Sequence, residues 1–575
     1  ATNDQVPDSP SDDADNDIGN YSTMNPLVNG GVTLSNGNLG VSCPADKGTL
    51  STMGMESGKW RIEATYVTAN GSTRDSIGIC SLPDDPDRDI PFSGWLVTSR
   101  NAENVAYNAL SGQKITSGAY SSYGDGFVAT DIIDVFFDAD TGTVWFANEG
   151  VLQNSATEAE VEAGTTTNAA ATGLSFHSGN AYFYISGGGS GTGVWTINFG
   201  QHAYTNTYSS ITSFKNLCTA NLAAPAIKDP SEFFGAMLYT GTGSSAAHTF
   251  GGNSNCQPDL VYIMDREVSY SRLIHDSPRG VQKYLATDSD AVEADAGSNY
   301  VSSFDTDGFT EGGGNGTGNV DNTHVAWGWK AGAGAGSSNE VGGINTTTTS
   351  LGAAQGFSIS TYTGTGSAST VGHGLGAVPQ FMIVKERTND VGGWFVYHKD
   401  NSTAPETDYL YLHTNAGQVD DATVWNDTAP TSTVFSIGAH DDINESSGTY
   451  VAYIWTGIEG FSKFGSYTGK GSAALGNWVW CGFRPKLVML KVTDTSGGWH
   501  IYDTARSAYN VVDKHMDADV TTVEGSLAER NIDILSNGFR LRTANDPNST
   551  DNLYLFAAWA EAPFGGSGVA QARAR

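Results

Sequence analysis

One ordered set of features occurs three times between residues 239 and 560, so this part of the chain must fold as repeated units. Each copy opens on Tyr-Thr-Gly-x-Gly-Ser, at Tyr239 to Ser244, Tyr362 to Ser367 and Tyr467 to Ser472. A proline and an apolar run follow, PDLVYIMDR from Pro258, PQFMIVKER from Pro379 and PKLVMLKVT from Pro485. The second and third copies continue with GGWFVYH (392–398) and GGWHIYD (497–503), where the first has SYSRLIHD (269–276). Each copy closes on an aromatic run, HVAWGWK, YVAYIWT and YLFAAWA, whose closing tryptophans read as Trp327, Trp455 and Trp559. A copy spans about one hundred residues, longer than a solenoid rung and long enough for its own core. The pattern predicts three separate β-sandwich-like beads.

Composition supports a β fold and excludes several functions. Of 575 residues, 71 are Gly and only 16% are charged, which argues against coiled coils and long surface helices. The net charge of −33 leaves no basic cluster for phosphates, so nucleic acid is not an expected partner. Cys43, Cys80, Cys218, Cys256 and Cys481 are scattered, without the spacing of a zinc site or a disulfide framework. The first residues lack the pattern of a secretory signal and no apolar run is long enough to span a bilayer, so synthesis in a reducing cytoplasm without membrane insertion is expected.

Residues 1–20 are polar and read as an arm. From 21 to 205, short apolar runs alternate with turn residues, as in a sandwich: WRIEATYV (60–67), SIGICSL (76–82), IIDVFFDAD (132–140), TVWFANEG (143–150), AYFYISG (181–187) and GVWTINFG (193–200). Asp140-Thr141-Gly142 predicts a hairpin turn. A connector (206–234) precedes β-repeats at 235–335, 336–460 (with a leading linker) and 461–566, and 567–575 form a tail. The expected fold class is all-β and multidomain, a β-sandwich followed by three homologous sandwich or jelly-roll-like domains.

No pattern selects a catalytic pair among the 62 acidic residues, and no Gly-x-Ser-x-Gly elbow accompanies the histidines, of which His275, His373, His398 and His500 read as isolated. The glycine runs GGGSGTG (187–193) and GGGNGTG (312–318) lack the Lys-Ser/Thr of a phosphate loop and read as hairpin tips. Asp84, Asp85 and Asp87, and separately Asp441 and Asp442, are the candidate calcium ligands, in acid-dense loops without EF-hand alternation. Trp394 and Trp499 recur at equivalent places; such a residue is either a core position or a platform for a sugar ring. Action without catalysis, and with no cofactor other than calcium, is the expectation.

Ser57-Gly58-Lys59-Trp60, Ile77-Gly78-Ile79, Asp134-Val135, Gly142-Thr143-Val144-Trp145-Phe146 and Asn198-Phe199-Gly200-Gln201 occur in an order that resembles the SPRY fold. The wider arrangement, with Phe214-Lys215-Asn216-Leu217-Cys218, Phe461-Ser462-Lys463-Phe464-Gly465 and Ile501-Tyr502-Asp503-Thr504-Ala505-Arg506, resembles virion structural proteins of marine tailed bacteriophages. That resemblance implies a particle-surface location, other virion proteins and a host-surface glycan or receptor as partners, and by analogy with fibres a homotrimer. It implies a tail fibre or adhesin, with a head decoration or tail adaptor as the alternative and a polysaccharide depolymerase as a third reading.

Overall fold

The structure is a computed structural model that describes residues 19–565 apart from 29–30, 46, 70–74, 82–103, 117–118, 177–179, 190, 390–391, 474–475 and 527. It is all-β, and the chain divides into two compact units with the boundary between Ala224 and Pro225.

The first unit is a sandwich of two antiparallel-dominated sheets. One has eight strands, in the order Thr33–Ser35, Gly40–Pro44, Thr192–Asn198, Lys59–Thr68, Ile132–Asp138, Thr143–Asn148 and Val151–Leu152, with Lys215–Asn216 added in parallel to Lys59–Thr68. The other has six, Gly48–Leu50, Ala181–Ser186, Ser76–Ser81, Asn104–Asn108, Gln113–Thr116 and Ala119–Ser122. Tyr66 and Trp195 of the first sheet pack 4.4 Å apart between centroids, and Phe146 stacks on Tyr107 of the second at 5.3 Å. The expected hairpin is present: Thr143 pairs with Asp138, whose carboxylate accepts the Asp140 and Thr141 amides at 3.1 and 3.3 Å.

Much of the connector belongs to this sandwich. Tyr208, Ile211 and Phe214 cover Phe136 and Trp145 on the outer face of the larger sheet. The helix Glu158–Ala163 presents Glu158 to the Ser210 amide and Glu162 to the amides of Thr212 and Ser213. Arg61 lies over Tyr204 and Tyr208 while donating to Asp134 at 2.7 Å, so an acidic residue inside the sheet has both a charge partner and hydrogen bonds.

The second unit holds the three repeats. Each has a large sheet with the same connectivity, Phe234–Thr240, Thr323–Trp329, Leu260–Asp265, Leu273–Asp276, Lys283–Ala286 and Ala294–Asp295 in the first copy, with the second copy adding the edge strand Thr348–Gly352. A smaller sheet, such as Ala246–His248, Phe309–Glu311 and Val301–Phe304, faces it.

These repeats are not separate beads. Side chains alternate along a strand, and both faces of the large sheets are buried. In the first copy Val261, Ile263 and Ala326 face the repeat's own small sheet, whereas Leu260, Tyr262, Met264, Val325, Trp327 and Trp329 enter a core shared by all three copies. In the second, Met382, Val384 and Ile454 face inward to the repeat and Phe381, Ile383, Val451 and Trp455 enter the shared core.

At the centre of that core Trp329, Trp455 and Trp559, one from each copy, contact one another at centroid separations of 5.3, 5.9 and 6.4 Å. Registers identify them as equivalent, because each pairs with the residue two positions after the repeat's proline, Leu260, Phe381 or Leu487. Trp329, not Trp327, is therefore the counterpart of Trp455 and Trp559. Trp327 matches Tyr453 and Ala557, and across the neighbouring strand these face Ala236, Ile359 and Phe464, so a large residue on one strand meets a smaller one on the other.

Candidate functional site

The repeat motifs serve construction. Tyr239, Tyr362 and Tyr467 are buried, stack on His324, Tyr450 and Tyr554 at 5.0, 5.0 and 5.2 Å, and donate to the carbonyls of Thr317, Ile443 and Pro547. In the same motif a Cβ on Gly241, Gly364 or Gly469 would lie 2.2, 2.3 or 2.1 Å from a backbone oxygen. Two residues on, Gly243, Gly366 and Gly471 have φ of +69°, +69° and +61°, which favours glycine.

Trp394 and Trp499, the candidate sugar platforms, are core residues at the joints between repeats. Trp394 is fully buried and its indole N–H donates to the Ala286 and Ser289 carbonyls of the first repeat at 3.0 Å each. Trp499 donates to the Tyr411 carbonyl of the second repeat at 2.8 Å. Strand registers place Arg272 at the same position in the first repeat, and its guanidinium donates to the carbonyls of Val520 (3.0 Å) and Thr522 in the third. The three contacts close a ring, each repeat reaching the next. SYSRLIHD is thus the counterpart of the Gly-Gly-Trp strand, with arginine replacing tryptophan.

The ring is reinforced unequally. Arg387 makes a two-point contact with Glu293 of the first repeat at 2.8 and 3.0 Å, and Arg266 the same with Glu524 of the third at 2.8 and 2.9 Å. The amides of Glu293 and Glu524 return to the carbonyls of Arg387 and Arg266. At the remaining joint the Gln418 amide bonds the Thr493 carbonyl at 2.7 Å, and the charged pair is replaced by Gln and Thr.

Of the calcium candidates, Asp84, Asp85 and Asp87 lie outside the described residues. Asp441 and Asp442 begin the short helix Asp441–Asn444; burial raises the Asp442 pKa, opposed by neighbouring His440. Among the described residues no group of three or more His, Cys, Asp or Glu side chains is arranged to hold an ion.

His275, His373 and His398 are buried with one ring nitrogen on a backbone carbonyl each, and burial lowers their pKa values, to about 3 for His275 and about 4 for His398. His500 is different, and reading it as isolated is corrected by the structure. Its Nδ1 lies 2.6 Å from Asp517 Oδ1 and its Nε2 2.7 Å from Asp546 Oδ2. Burial disfavours the charge, but the two carboxylates outweigh it and raise the pKa to about 9. Arg530 completes the cluster, donating to His515 Nε2 at 3.2 Å, and burial lowers the His515 pKa to about 4.

This cluster is peculiar to the third repeat. The positions of His500 and Asp517 hold Leu273 and Ala286 in the first copy and Phe395 and Tyr411 in the second. Toward solvent it ends in the side chains of Arg530 and Asp546, 29% and 30% exposed. An imidazolium with both nitrogens donating to carboxylates has no lone pair for proton abstraction at neutral pH. What the arrangement does is fix the loop carrying Asp546 to the sheet.

Fold and site together define an all-β protein whose second unit is a closed ring of three diverged repeats. The chain belongs to the family described as Domain of unknown function (DUF7483), which matches residues 229–563, the span of that ring. No curated protein matches the sequence. Among solved structures, the chain is similar to the SPRY domain of human HERC1 (15% identity, TM-score 0.23, 30% of this chain and 96% of that one). It is also similar to the TRIM65 PSpry domain (14%, 0.22, 31% and 93%) and to stonustoxin (17%, 0.22, 31% and 28%).

Proposed function

We propose that the protein is a non-catalytic attachment protein on the surface of a tailed-bacteriophage virion, binding a host-surface glycan or receptor and anchored to other virion proteins. The observation that carries this reading is the division of labour in the ring: equivalent positions build the joints and the centre, while the copies differ in the length of a loop joining equivalent strands and in the polar cluster of the third. A rigid scaffold with variable loops suits recognition. His500, bonded through both nitrogens, supports a role without proton transfer. The ring also supplies a threefold arrangement of repeats within one chain, so a homotrimer is not required to create one; where three chains do associate, nine repeats would act multivalently.

The test is binding of labelled full-length chain to marine bacterial cells, beside a chain lacking residues 1–18, with co-assembly on virion parts measured in parallel. Saturable binding by both chains is expected. Co-assembly without cell binding would replace adhesion by a structural fitting, a head decoration or tail adaptor, and release of reducing sugar would replace it by a depolymerase.

A further inference from the structure

In all three repeats a loop joins equivalent strands on the edge side of the large sheet, and its length differs. It runs from Arg279 to Lys283 in the first copy, Asn401 to Asp408 in the second and Arg506 to Lys514 in the third, the longest. At the tip of the third loop Tyr509 is 79% exposed, the most exposed large hydrophobic side chain among the described residues, flanked by exposed Ala508 and by Val511 at 38%.

An exposed ring on a floppy loop would mean little, but this loop is held at both ends and beside its tip. Arg506 bonds Asp503 through its backbone amide (2.8 Å) and its Nε (2.5 Å). Asn510 makes a reciprocal pair with the backbone of Ile534, its Nδ2 donating to the carbonyl and its Oδ1 accepting the amide, both at 2.9 Å. Val512 and Ile532 exchange backbone hydrogen bonds at 2.8 and 3.1 Å. The ring is therefore presented by ordered backbone, which lowers the entropy lost when something docks on it.

We propose that Tyr509 is the stacking face of a saccharide-contact site at this loop tip, taking an uncharged pyranose. This rests on the attachment reading and names its contact residue. An aromatic face covers the apolar C–H side of a sugar ring, and an acceptor holds its hydroxyls. Asp513 supplies the acceptor on the same loop: it takes the Ser507 hydroxyl at 3.2 Å through Oδ1, and among the described residues its other oxygen has no protein partner. The net charge of −33 disfavours polyanionic glycans.

The experiment compares full-length wild type, Tyr509→Ala, Tyr509→Trp and Asp513→Asn for binding to cells that bind the wild type, before and after periodate oxidation of the cell surface. Periodate is expected to abolish wild-type binding, Tyr509→Ala to weaken it about tenfold with an unchanged thermal midpoint, Tyr509→Trp to retain it, and Asp513→Asn to weaken it less. Equal binding by Tyr509→Ala, or binding that survives periodate, overturns the proposal and leaves attachment standing. Wild-type chain that binds no cell removes both.

Discussion

At the scale of single residues, the tryptophans of the axis and the histidine of the third repeat carry the sharpest expectations. Trp559 is buried against Trp329, Trp455 and Phe464, so Trp559→Ala should cost about 3–5 kcal/mol in a urea titration, with the midpoint falling and the slope unchanged. His500 sets a pH dependence whose sign follows from its raised pKa. Stability from the charged ring is fully present below the ordinary histidine value of about 6.5 and is lost as pH rises through about 9. Its partners Asp517 and Asp546 have lowered pKa values, through hydrogen bonds to His500 that outweigh burial, and their contribution is lost instead as pH falls below the ordinary carboxylate range. Thermal midpoints of wild type should therefore decline between about pH 6.5 and 9, and His500→Gln should flatten that alkaline limb while lowering stability at pH 6. An alkaline limb identical in the variant would mean that another group sets it.

At the scale of elements, the Tyr-Thr-Gly-x-Gly-Ser turn separates two reasons for glycine. A Cβ on Gly364 would sit 2.3 Å from the Glu445 carbonyl oxygen, whereas one on Gly366 has ordinary room and meets only the penalty of φ at +69°. Gly366→Ala should cost about 1 kcal/mol and Gly364→Ala clearly more, read from urea midpoints of the two variants. The turn was legible in the sequence as a recurring motif, as were the strands, because β-rich runs bounded by glycine are local signals. Less legible was that runs such as LVYIM and VAYIW lack polar alternation because both sheet faces are covered, one by the repeat's own small sheet and one by the other repeats. A copy of about one hundred residues is long enough for its own core, and that length alone predicts separate beads. The Trp327 assignment missed by two residues for a related reason: two tryptophans alternate on one face, and only pairing to Leu260 or Tyr262 distinguishes them. His500, Asp517 and Asp546 come from three segments that no spacing rule connects, although a polar pair replacing Leu273 and Ala286 in an aligned repeat was a visible signal.

At the scale of the whole molecule, the joints decide how the ring unfolds. The first and third repeats are not consecutive in the chain, and their joint carries the Arg266–Glu524 pair, the Arg272 contacts and Arg506 lying 5.5 Å over Trp327. With both partners of the Arg266–Glu524 pair only 12–13% exposed, a double-mutant cycle with Arg266→Ala and Glu524→Ala should give a coupling of about 1–3 kcal/mol. Because Trp329, Trp455 and Trp559 are each packed by the other two, no repeat can leave the ring without opening the core of its neighbours. Calorimetry of the full chain should therefore show one transition for the three repeats. Phe309→Ala, Phe435→Ala and Phe539→Ala, each deep in a different copy, should lower that same transition. Three transitions, each answering to one variant, would mean that the repeats hold their cores independently and that the shared aromatic centre couples them only weakly.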